Sequence, residues 1–566
     1  MAETIPDWLA QAGRHPEGGL RFLDRHERET WFGWAEVRER ALAVAGGLLS
    51  LGVRRGDCVA LVFPTGIEFF AAFFGAQLAG AVPAPLYPPV RLGKAGEYAR
   101  RTARMLERCG ARLVLADSRL GRSLAEAVAQ SGLDLGCRAL ADLPQSSPAA
   151  VGAEPSDLAL IQFSSGTTVD PKPVALSHRA LAAQVEILNG FWRDQGELRH
   201  SCVSWLPLYH DMGLIGCVFP ALARDATLTL IAPEVFVARP AIWLRALSRY
   251  RATVSPAPNF AYNLCVTRIA DAEMEGVDLS SWRTALNGAE PVAPSVLRAF
   301  CDRFARWGFR PQALTPVYGL SEAALAVTFS ALERPFRSRR FAREDLSGEG
   351  VARESGEGRE IVSVGRPVPG FRLRIRDEAD QDLGEGRVGR VWIQGPSLME
   401  GYLGDPEATG RALVNGWLDT GDLGFLYDGE LYLTGRAKDA VILRGRNYAP
   451  EEIELAADGV PGVRDGCIAA ASWLPEDAPG EVLVLFVEAA RQAGAAELEA
   501  LPDACRAAVL GATGLLVDRV VMLAPGALPI TSSGKLRRGE TLRRYLAGEL
   551  ALAEPVAAMS LAEDGG

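Results

Sequence analysis

The first half of the chain repeats the order strand, turn, helix, and this order constrains the fold more than any other feature. Residues 58–63 (CVALVF) form a short apolar run that a Pro-Thr-Gly turn closes, and a helical stretch follows from Ile67. Residues 34–49 carry apolar side chains at helical spacing, and strand-like runs return at 204–206 and 227–232. Because parallel strands need helical crossovers, we predict an α/β fold with a mostly parallel sheet covered by helices.

A different pattern marks the end of this large domain. Residues 371–377 (FRLRIRD) alternate apolar side chains with arginines, which predicts a half-exposed strand, and residues 387–395 and 429–436 have similar patterns. We therefore predict a small β-rich subdomain over 361–437 that completes an N-terminal domain over 1–437.

A separate, mobile α+β domain is predicted over 438–566. It begins with the strand-like run AVILRG at 440–445, and Pro450 then opens a helix, as proline at a first helical turn does. The tail beyond about residue 550 is rich in Ala, Glu and Gly and is expected to fray. Between the two patterns lies 330–360, which is rich in Arg, Glu, Gly and Ser. It is either a surface loop or a functional insertion.

Composition limits the classes of function. The chain has 566 residues, long enough for two or three domains, and its formal net charge of −10 without a long basic tract argues against nucleic acid as a main partner. The nine scattered cysteines form no CxxC pair, which favours reduced, mostly buried thiols over disulfides or a zinc site. The most apolar stretch, 69–82, is too short to span a bilayer, and residues 1–19 lack a signal pattern. We predict a cytoplasmic protein with no membrane span.

The strongest chemical feature is the segment FSSGTTVDPKPVALSH at 163–178. It follows the apolar run LALIQF, so a strand runs into a loop of small hydroxyl residues. The loop offers the hydroxyls of Ser164, Ser165, Thr167 and Thr168, and Gly166 permits close backbone approach. Such a loop suits a polyphosphate, and a solvated Ser/Thr turn is the alternative. It is not a Walker loop, because the chain has no GxxxxGK[ST] pattern.

This segment resembles the phosphate-binding loop of the adenylate-forming superfamily, which contains acyl-CoA synthetases, fatty acyl-AMP ligases, amino-acid adenylation domains and luciferases. The chain departs from the family pattern at Val169 and Pro173, where glycine is usual, and keeps Thr167, Thr168 and Lys172. Valine and proline restrict the backbone more than glycine does. We therefore expect a more rigid loop that still binds phosphates.

The resemblance continues in the family's order along the chain. WLPLYHDMGLIG at 205–216 resembles the motif in which His210 stands near the acyl and phosphate groups. NGAEP at 287–291 and VYGLSEAA at 317–324 resemble the adenine-pocket segments, and Glu322 resembles a magnesium ligand. The nucleotide-binding residues that these segments imply are Asn287, Gly288, Ala289, Glu290, Tyr318, Gly319 and Ser321, with Tyr318 lying against adenine.

Further motifs of the same family lie toward the C-terminus. GWLDTGDLG at 416–424 resembles the ribose motif, in which Asp422 accepts hydrogen bonds from the 2′- and 3′-hydroxyls. In GRAKD, Arg436 would contact the nucleotide and Lys438 would be the hinge between the domains. LPITSSGKLRR ends the series with Lys535, which resembles the catalytic lysine that reaches back into the first domain's cleft.

The resemblance implies a mechanism that uses ATP and Mg²⁺. The acid's carboxylate attacks the α-phosphate and pyrophosphate leaves, with no base needed because a carboxylate is already ionised at neutral pH. Catalysis is then mostly positioning and charge stabilisation by Lys535 and by Mg²⁺ held through Glu322. The expected catalytic residues are Lys535, Glu322, His210 and Thr167. In a second step, the small domain rotates about Lys438 and admits a thiol.

Some strings resemble fatty acyl-AMP ligases most closely: AGAVPAPLYPP at 79–89, the YHDMG variant, the stretch 249–269 and NGAEPV. The segment 330–360 lies where those ligases carry an insertion that restrains the small domain and disfavours CoA. The resemblance thus implies a fatty acid handed to the phosphopantetheine of an acyl carrier protein, in lipid, polyketide or lipopeptide biosynthesis. Transfer to free CoA stays open as the alternative.

The sequence also bears on the protein partner, on the substrate and on whether the chain is an enzyme. Carrier proteins are generally acidic, and two arginine groups could dock one, with solvated charge as the alternative. These groups are Arg337, Arg339 and Arg340, and Arg537, Arg538, Arg543 and Arg544. An amino-acid substrate is disfavoured, because no matching motif stands around 205–216. A non-catalytic binding homologue would have lost Glu322, Asp422 or Lys535, and the chain retains all three.

Overall fold

The computed structural model describes residues 4–15, 17–89, 95–164, 171–192, 200–437, 439, 441–443, 446–473, 481–490, 493, 495–531 and 535–553. Within this part, a large body of sheets and helices runs to residue 437, and a smaller body with its own core follows. The predicted strand at 58–63 and the helices from 34 and Ile67 are present as Cys58–Val62, Trp34–Ser50 and Ile67–Leu78.

A nine-stranded sheet forms the centre of the large domain. In spatial order its strands are Arg366–Pro367, Ala326–Phe329, Leu314–Gly319, Thr284–Asn287, Val254–Ala257, Cys202–Ser204, Thr227–Ile231, Gly19–Leu23 and Glu29–Gly33. The strands from Leu314–Gly319 to Gly19–Leu23 pair in parallel, and the outer pairs on each side are antiparallel. The predicted parallel sheet is thus confirmed for the central strands.

Two smaller sheets flank this sheet. A four-stranded parallel sheet has the order Val82–Pro85, Cys58–Val62, Ala111–Ala116 and Cys137–Arg138. A three-stranded antiparallel sheet has the order Gly401–Tyr402, Pro173–Ser177 and Leu158–Phe163. The last strand ends beside the predicted phosphate loop, so this small sheet fixes both ends of that loop.

Helices cover the sheets, and the apolar helix Ile67–Leu78 is buried along most of its length. The other helices of the large domain are Ile5–Ala12, Ala95–Arg108, Gly121–Ser131, His178–Phe191, Asp211–Gly213, Phe219–Ala223, Pro233–Ala238, Ala241–Arg249, Asn259–Arg268, Pro294–Phe304 and Pro406–Ala412. Among the described residues, no helix is long and apolar enough to cross a membrane. The apolar stretch around Ile67–Leu78 is therefore core, because its aromatic side chains pack on one another and on neighbouring helices.

The predicted β-rich subdomain is a five-stranded antiparallel sheet. Its strands are Arg372–Arg376, Gly389–Gln394, Trp417–Tyr427, Leu413–Val414 and Glu430–Arg436. The segment 330–360 is not an irregular surface loop: Ser338–Phe341 pairs with Arg359–Val362 as an antiparallel hairpin. Phe341 is fully buried against Phe425 and Tyr432, which anchors this hairpin on the β-rich sheet.

The small domain has a three-stranded sheet of its own, made by Val463–Trp473, Val482–Ala489 and Arg519–Leu523. The helices Pro450–Asp458, Ala495–Thr513 and Arg538–Leu546 pack on it, and a hairpin of Val441–Leu443 with Arg446–Tyr448 precedes it. Pro450 lies in the first helical turn, as predicted. The frayed tail was predicted from about residue 550; the structure describes the chain to residue 553, and the rest lies outside the described residues.

Two local predictions need comment. The run at 204–206 was predicted as a strand, but the strand is Cys202–Ser204, because the hydroxyl of Ser204 accepts a hydrogen bond from the Leu206 amide and turns the chain. All nine cysteines are free and six of them are buried, which agrees with the predicted reduced thiols.

Candidate active site

A cavity of about 2040 Å³ lies between the large and small domains and is lined from both. The large domain contributes Tyr318, Glu322, Asp422 and Arg436, and the small domain contributes Lys535. These residues are up to 217 positions apart in sequence (535 − 318). The structure therefore brings these five predicted residues to one cavity, whereas the predicted residues His210, Asn287 and Gly288 are not among those that line it.

A short hydrogen-bonded chain forms the predicted ribose site. The Tyr318 hydroxyl donates to Asp422 Oδ2 at 2.6 Å, and Arg436 Nε donates to Asp422 Oδ1 at 3.0 Å. Asp422 and Arg436 are cross-strand partners in the β-rich sheet, which fixes their spacing. Burial and the neighbouring carboxylate raise the pKa of Tyr318 well above its usual value, and Asp422 also raises the pKa of Arg436. The tyrosine thus stays a neutral donor.

The predicted adenine segment begins where the strand Thr284–Asn287 ends. Asn287 is fully buried, and its Oδ1 has no hydrogen-bond partner in the described structure. A buried acceptor without a partner is costly, so it fits a ligand that brings a donor, as an adenine amino group would. Gly288 and Gly319 allow close packing: a Cβ on Gly288 would lie 2.8 Å from Val317, and one on Gly319 1.8 Å from the Leu325 carbonyl.

Two non-glycine residues beside this pocket adopt left-handed backbone conformations. Ala289 has φ 68°, and Ala324, two residues after Glu322, has φ 63°. Side chains with a Cβ rarely adopt this region, and such strain concentrates at functional sites. It accompanies the sharp turns that present Glu290 and Glu322 to the cavity.

The ends of the predicted phosphate loop are joined. The Ser164 amide donates to the Lys172 carbonyl at 2.9 Å, and the Lys172 amide donates to Ser164 Oγ at 3.3 Å. Both residues line the cavity. Ser165, Gly166, Thr167, Thr168 and Val169 lie outside the described residues. Pro173 is the first residue of its strand, a position at which sheets tolerate proline.

Glu322 lies on a single turn, Ser321–Ala323, and faces the cavity. Its Oε1 accepts a hydrogen bond from the Tyr402 hydroxyl at 2.9 Å. Mg²⁺ is usually held by one or two carboxylates together with substrate phosphates and waters, so this carboxylate fits that role. Among the described residues, no group of three or more His, Cys, Asp or Glu could hold a metal alone. The Ser321 hydroxyl is engaged with Asp211, at 2.6 Å.

His210 begins the short helix Asp211–Gly213, and the cavity wall at this motif is formed by Asp211, Met212 and Gly216. Burial lowers the pKa of His210 to about 4, with Asp211 opposing and Lys535 adding to the shift. Its ring is therefore neutral at physiological pH, and its buried Nε2 has no partner in the described structure. These features fit a hydrogen-bonding role and not a charged one.

Lys535 stands on a turn that Thr531 closes. The Lys535 amide donates to Thr531 Oγ1 at 2.9 Å, and the Thr531 amide donates to the Lys535 carbonyl at 2.7 Å. Burial, and next the charge of Arg436, lower the pKa of Lys535, while Asp211, Glu290 and Asp422 oppose this shift. The side chain thus sits among groups of both signs in the closed cleft. The predicted hinge, Lys438, lies outside the described residues.

An ion-pair network secures the lysine turn to the rest of the small domain. Arg538 donates to Glu454 at 2.6 Å and pairs with Glu451 at 3.1 Å, both on the helix Pro450–Asp458. Burial raises the pKa of Glu454 to about 7, with Arg538 opposing. Arg538, predicted as a docking residue, thus has only 11% of its side chain exposed and is engaged within the chain.

The other predicted docking arginines are also neutralised within the chain, because their neighbours on adjacent strands and helices are acidic. Arg337 pairs with Glu430, Arg339 with Glu354 and Asp428, and Arg340 with Glu360. Arg543 and Arg544 both pair with Glu540, and Arg537 is buried. Arg337, Arg340 and Arg543 keep about half or more of their side chains exposed, so docking of a carrier protein by these groups stays a prediction.

The hairpin of 330–360 contacts the small domain instead. Arg343 and Arg359 pair with Glu452 at 2.5 and 3.8 Å, respectively. Glu452 lies on the helix Pro450–Asp458, next to the partner of Arg538. We name Arg343, Arg359 and Glu452 the hairpin clasp.

Sequence reasoning missed three polar residues at the site. Tyr402 binds Glu322, Asp211 binds Ser321, and Gln162 donates to the Tyr209 carbonyl at 2.7 Å beside the histidine motif. Asp211 stood inside a motif that was recognised, and the other two have no local signal, because their partners are distant in sequence.

Comparisons with known proteins identify the family of this chain. The sequence profile of the AMP-binding enzymes matches residues 9–403. A Caulobacter vibrioides protein provisionally named an acyl-CoA synthetase is 37% identical over 524 residues, covering 91% of this chain and 90% of the relative. A long-chain-fatty-acid–AMP ligase of Mycobacterium marinum is 34% identical over 577 residues, covering 96% and 97%.

A solved structure supports the same family assignment. A chain from a study of fatty acyl-adenylate ligases of E. coli and L. pneumophila superposes with a TM-score of 0.89 at 34% identity, over 96% of this chain and 98% of that one. Such coverage includes both domains. This chain therefore belongs to the family of AMP-binding enzymes.

Proposed function

We propose that this protein activates a fatty acid with ATP as acyl-AMP, releases pyrophosphate, and transfers the acyl group to the phosphopantetheine thiol of an acyl carrier protein. One observation carries the proposal: Lys535 of the small domain lines the same cavity as Glu322, Asp422 and Arg436 of the large domain. The relatives named for fatty acyl-AMP ligation support the choice of acid.

The arrangement suits adenylate formation. Asp422 and Tyr318 would hold the ribose and adenine, which leaves the α-phosphate to face Lys535. One oxygen of the acid's carboxylate forms a bond to the α-phosphorus while the bond to pyrophosphate breaks. The ammonium of Lys535 and the guanidinium of Arg436 would offset the negative charge that develops in this closed space. Mg²⁺, held by Glu322, would supply further positive charge at the phosphates.

The lining of the cavity supports a fatty acid. One part of its wall is apolar, and its residues include Leu188, Trp192, Leu264, Val296 and Phe329. An apolar wall of this kind favours burial of an alkyl chain. Asp211, the carboxylate of the histidine motif that lines the cavity, already accepts hydrogen bonds from Ser321 and the Met212 amide. Its engagement disfavours an amino acid, whose ammonium would need a partner.

The hairpin clasp supports the carrier protein as acceptor. Its ion pairs hold the small domain in the position in which Lys535 enters the cavity. Transfer requires this domain to move, and partly exposed ion pairs each resist by up to about 1 kcal/mol. A carrier domain can offset that cost with protein–protein contacts that free CoA lacks. Free CoA remains the second candidate, which the relative provisionally named an acyl-CoA synthetase favours.

The test supplies the protein with ATP, Mg²⁺, fatty acids of graded length, and either CoA or a holo-carrier protein, and identifies products by mass. We expect acyl-AMP from fatty acids, and acyl-carrier as the main product of transfer. Acyl-CoA as the main product would overturn the choice of acceptor. Glu452→Gln loosens the hairpin clasp, and we expect it to raise the small yield of acyl-CoA without lowering acyl-AMP.

The same assay separates an enzyme from a binding homologue. If none of the acids tested supports ATP–pyrophosphate exchange, a non-catalytic binding homologue is favoured. The nine unpaired cysteines support the further proposal that the protein works in a reducing compartment such as the cytoplasm.

A further inference from the structure

We propose that Tyr402 is a positioning residue that couples the magnesium ligand Glu322 to the phosphate-loop lysine, Lys172. This inference rests on the proposed function only for the identity of the nucleotide. Tyr402 lies on the two-residue strand Gly401–Tyr402, lines the cavity and is 8% exposed.

The first contact of Tyr402 is with the metal side of the site. Its hydroxyl donates to Glu322 Oε1 at 2.9 Å. A hydrogen bond to an ionised carboxylate is stronger than one between neutral groups, and it fixes the rotation of the carboxylate. With Oε1 held in this way, Oε2 is left to face a cation. The residue that orients a ligand in this manner tunes the affinity of the site for metal.

The second contact is with the phosphate side. The ammonium of Lys172 lies over the Tyr402 ring at 4.3 Å from its centroid. A cation at this distance is attracted by the ring face, most strongly where the pair is shielded from water. One tyrosine thus touches the side chain that would bind the metal and the side chain that would meet the phosphates the metal bridges.

The backbone around Tyr402 makes the same connection. The Met399 amide donates to the Glu322 carbonyl at 2.8 Å, and the Leu403 amide donates to the Pro173 carbonyl at 2.9 Å. Pro173 directly follows Lys172. The segment 399–403 therefore ties the turn that carries Glu322 to the strand that carries Lys172, with Tyr402 between them. We name it the bridging segment.

The chain offers a matched control. Tyr250 also donates its hydroxyl to a glutamate, Glu29, at 2.8 Å, and an arginine lies over its ring at 4.2 Å. This pair is on the exposed edge of the large sheet and does not line the cavity. Tyr250→Phe thus removes an equivalent hydrogen bond at a remote place.

The experiment measures binding of Mn²⁺, as a stand-in for Mg²⁺, to the full-length protein with ATP and no acid, by the loss of the free Mn²⁺ signal in electron paramagnetic resonance. ATP binding in EDTA and thermal unfolding are measured in parallel. For Tyr402→Phe we expect Mn²⁺ affinity to fall about tenfold, the scale of one charge-assisted hydrogen bond, with metal-free ATP binding unchanged. Tyr402→Leu should in addition weaken metal-free ATP binding about threefold, because the ring contact to Lys172 is lost.

Two outcomes overturn the proposal: unchanged Mn²⁺ affinity in Tyr402→Phe, or an equal fall for Tyr250→Phe. A double-mutant cycle with Glu322→Gln gives a second test of the coupling where a single variant folds poorly. In the Glu322→Gln background, Tyr402→Phe should cause no further fall in Mn²⁺ affinity. If the two substitutions instead lower the Mn²⁺ affinity additively, the proposed coupling is contradicted. Because no acid is present, these results stand whether or not a fatty acid is the substrate.

Discussion

The two sides of the cavity are built differently. On the large-domain side, Asp422 and Tyr318 are held by paired strands and by direct hydrogen bonds within a large shared core. On the small-domain side, Lys535 stands on a turn that one threonine closes, and Arg538 secures it to a separate core. The difference teaches that the proposed nucleotide contacts depend on the packing of the large domain, whereas the proposed catalytic charge is supplied by the small domain, whose mobility stays a prediction.

Removing the lysine should separate these roles most sharply. We expect Lys535→Ala to slow adenylate formation by about 10²–10³-fold, because the charge that stabilises the transition state is lost. Transfer from a supplied acyl-adenylate should continue. ATP–pyrophosphate exchange and single-turnover transfer measure the two steps, and Arg543→Ala is the control on the same domain. Equal loss of both steps would break the comparison.

On the other side, Asp422→Ala should act mainly on binding. The change leaves the buried Tyr318 and the partly exposed Arg436 without their shared acceptor. We expect KM for ATP to rise about tenfold to a hundredfold, with a smaller change in kcat. Steady-state kinetics over a range of ATP concentrations measure both constants. A pure loss of kcat would place Asp422 with the chemical step and contradict the division of roles.

The attachment of the lysine turn can be tested through Arg538→Ala. The carboxylate of Glu454, buried and paired at 2.6 Å, would lose its partner. Breaking a buried pair from one side typically costs about 3–5 kcal/mol, so the small domain should unfold first in calorimetry, and adenylation should fall about tenfold. Arg506→Ala, which removes a pair with the exposed Asp503 on the same domain, serves as the control and should change neither. An unchanged melting profile for Arg538→Ala would contradict the role of Arg538 in attaching the lysine turn.

The smallest expected effect is a shift in pH dependence. In the proposed mechanism Lys535 acts when protonated, and Asp211 opposes the fall in its pKa that burial and Arg436 cause. Asp211→Asn removes that opposition, so the pKa of Lys535 should fall further. As the pH is raised, the variant should therefore begin to lose adenylation activity at a lower pH than the unchanged protein does. Between pH 7 and pH 9, we expect the variant to lose about threefold more adenylation activity than the unchanged protein loses.

A rate–pH profile of ATP–pyrophosphate exchange measures this shift, and Asp278→Asn, on the exposed surface, is the control. Movement of the alkaline limb to higher pH would contradict the assignment of Asp211 as a counter-charge to Lys535.

Sequence reasoning succeeded where the signal is local. Apolar runs and turn residues predicted the strands Cys58–Val62 and Thr227–Ile231, and Pro450 marked the start of its helix. The motifs predicted Tyr318 and Lys535 in one cleft, because their order along the chain follows a known family. The structure agrees, since both line one cavity.

Apart from the strand boundary at Ser204, the failures involve partners distant in sequence. The pairing of Arg339 with Asp428, 89 residues away, was not predicted, and docking of a carrier by this arginine stays a prediction. The segment 330–360 lacks periodicity, because its order comes from Phe341 packing on Phe425 of another sheet. Tyr402 meets Glu322 across 80 residues. Local pattern carries no trace of such contacts, which only the tertiary fold creates.

The bridging segment has one more consequence, for heat tolerance. A strand of only two residues, Gly401–Tyr402, and a few backbone bonds join the turn of Glu322 to the strand beginning at Pro173. Short edge elements open locally at lower free energy than the core around them. We therefore expect the enzyme to lose activity on warming several degrees before it melts, and to regain that activity on cooling. Its working temperature would then be set by this one strand and not by the stability of either core.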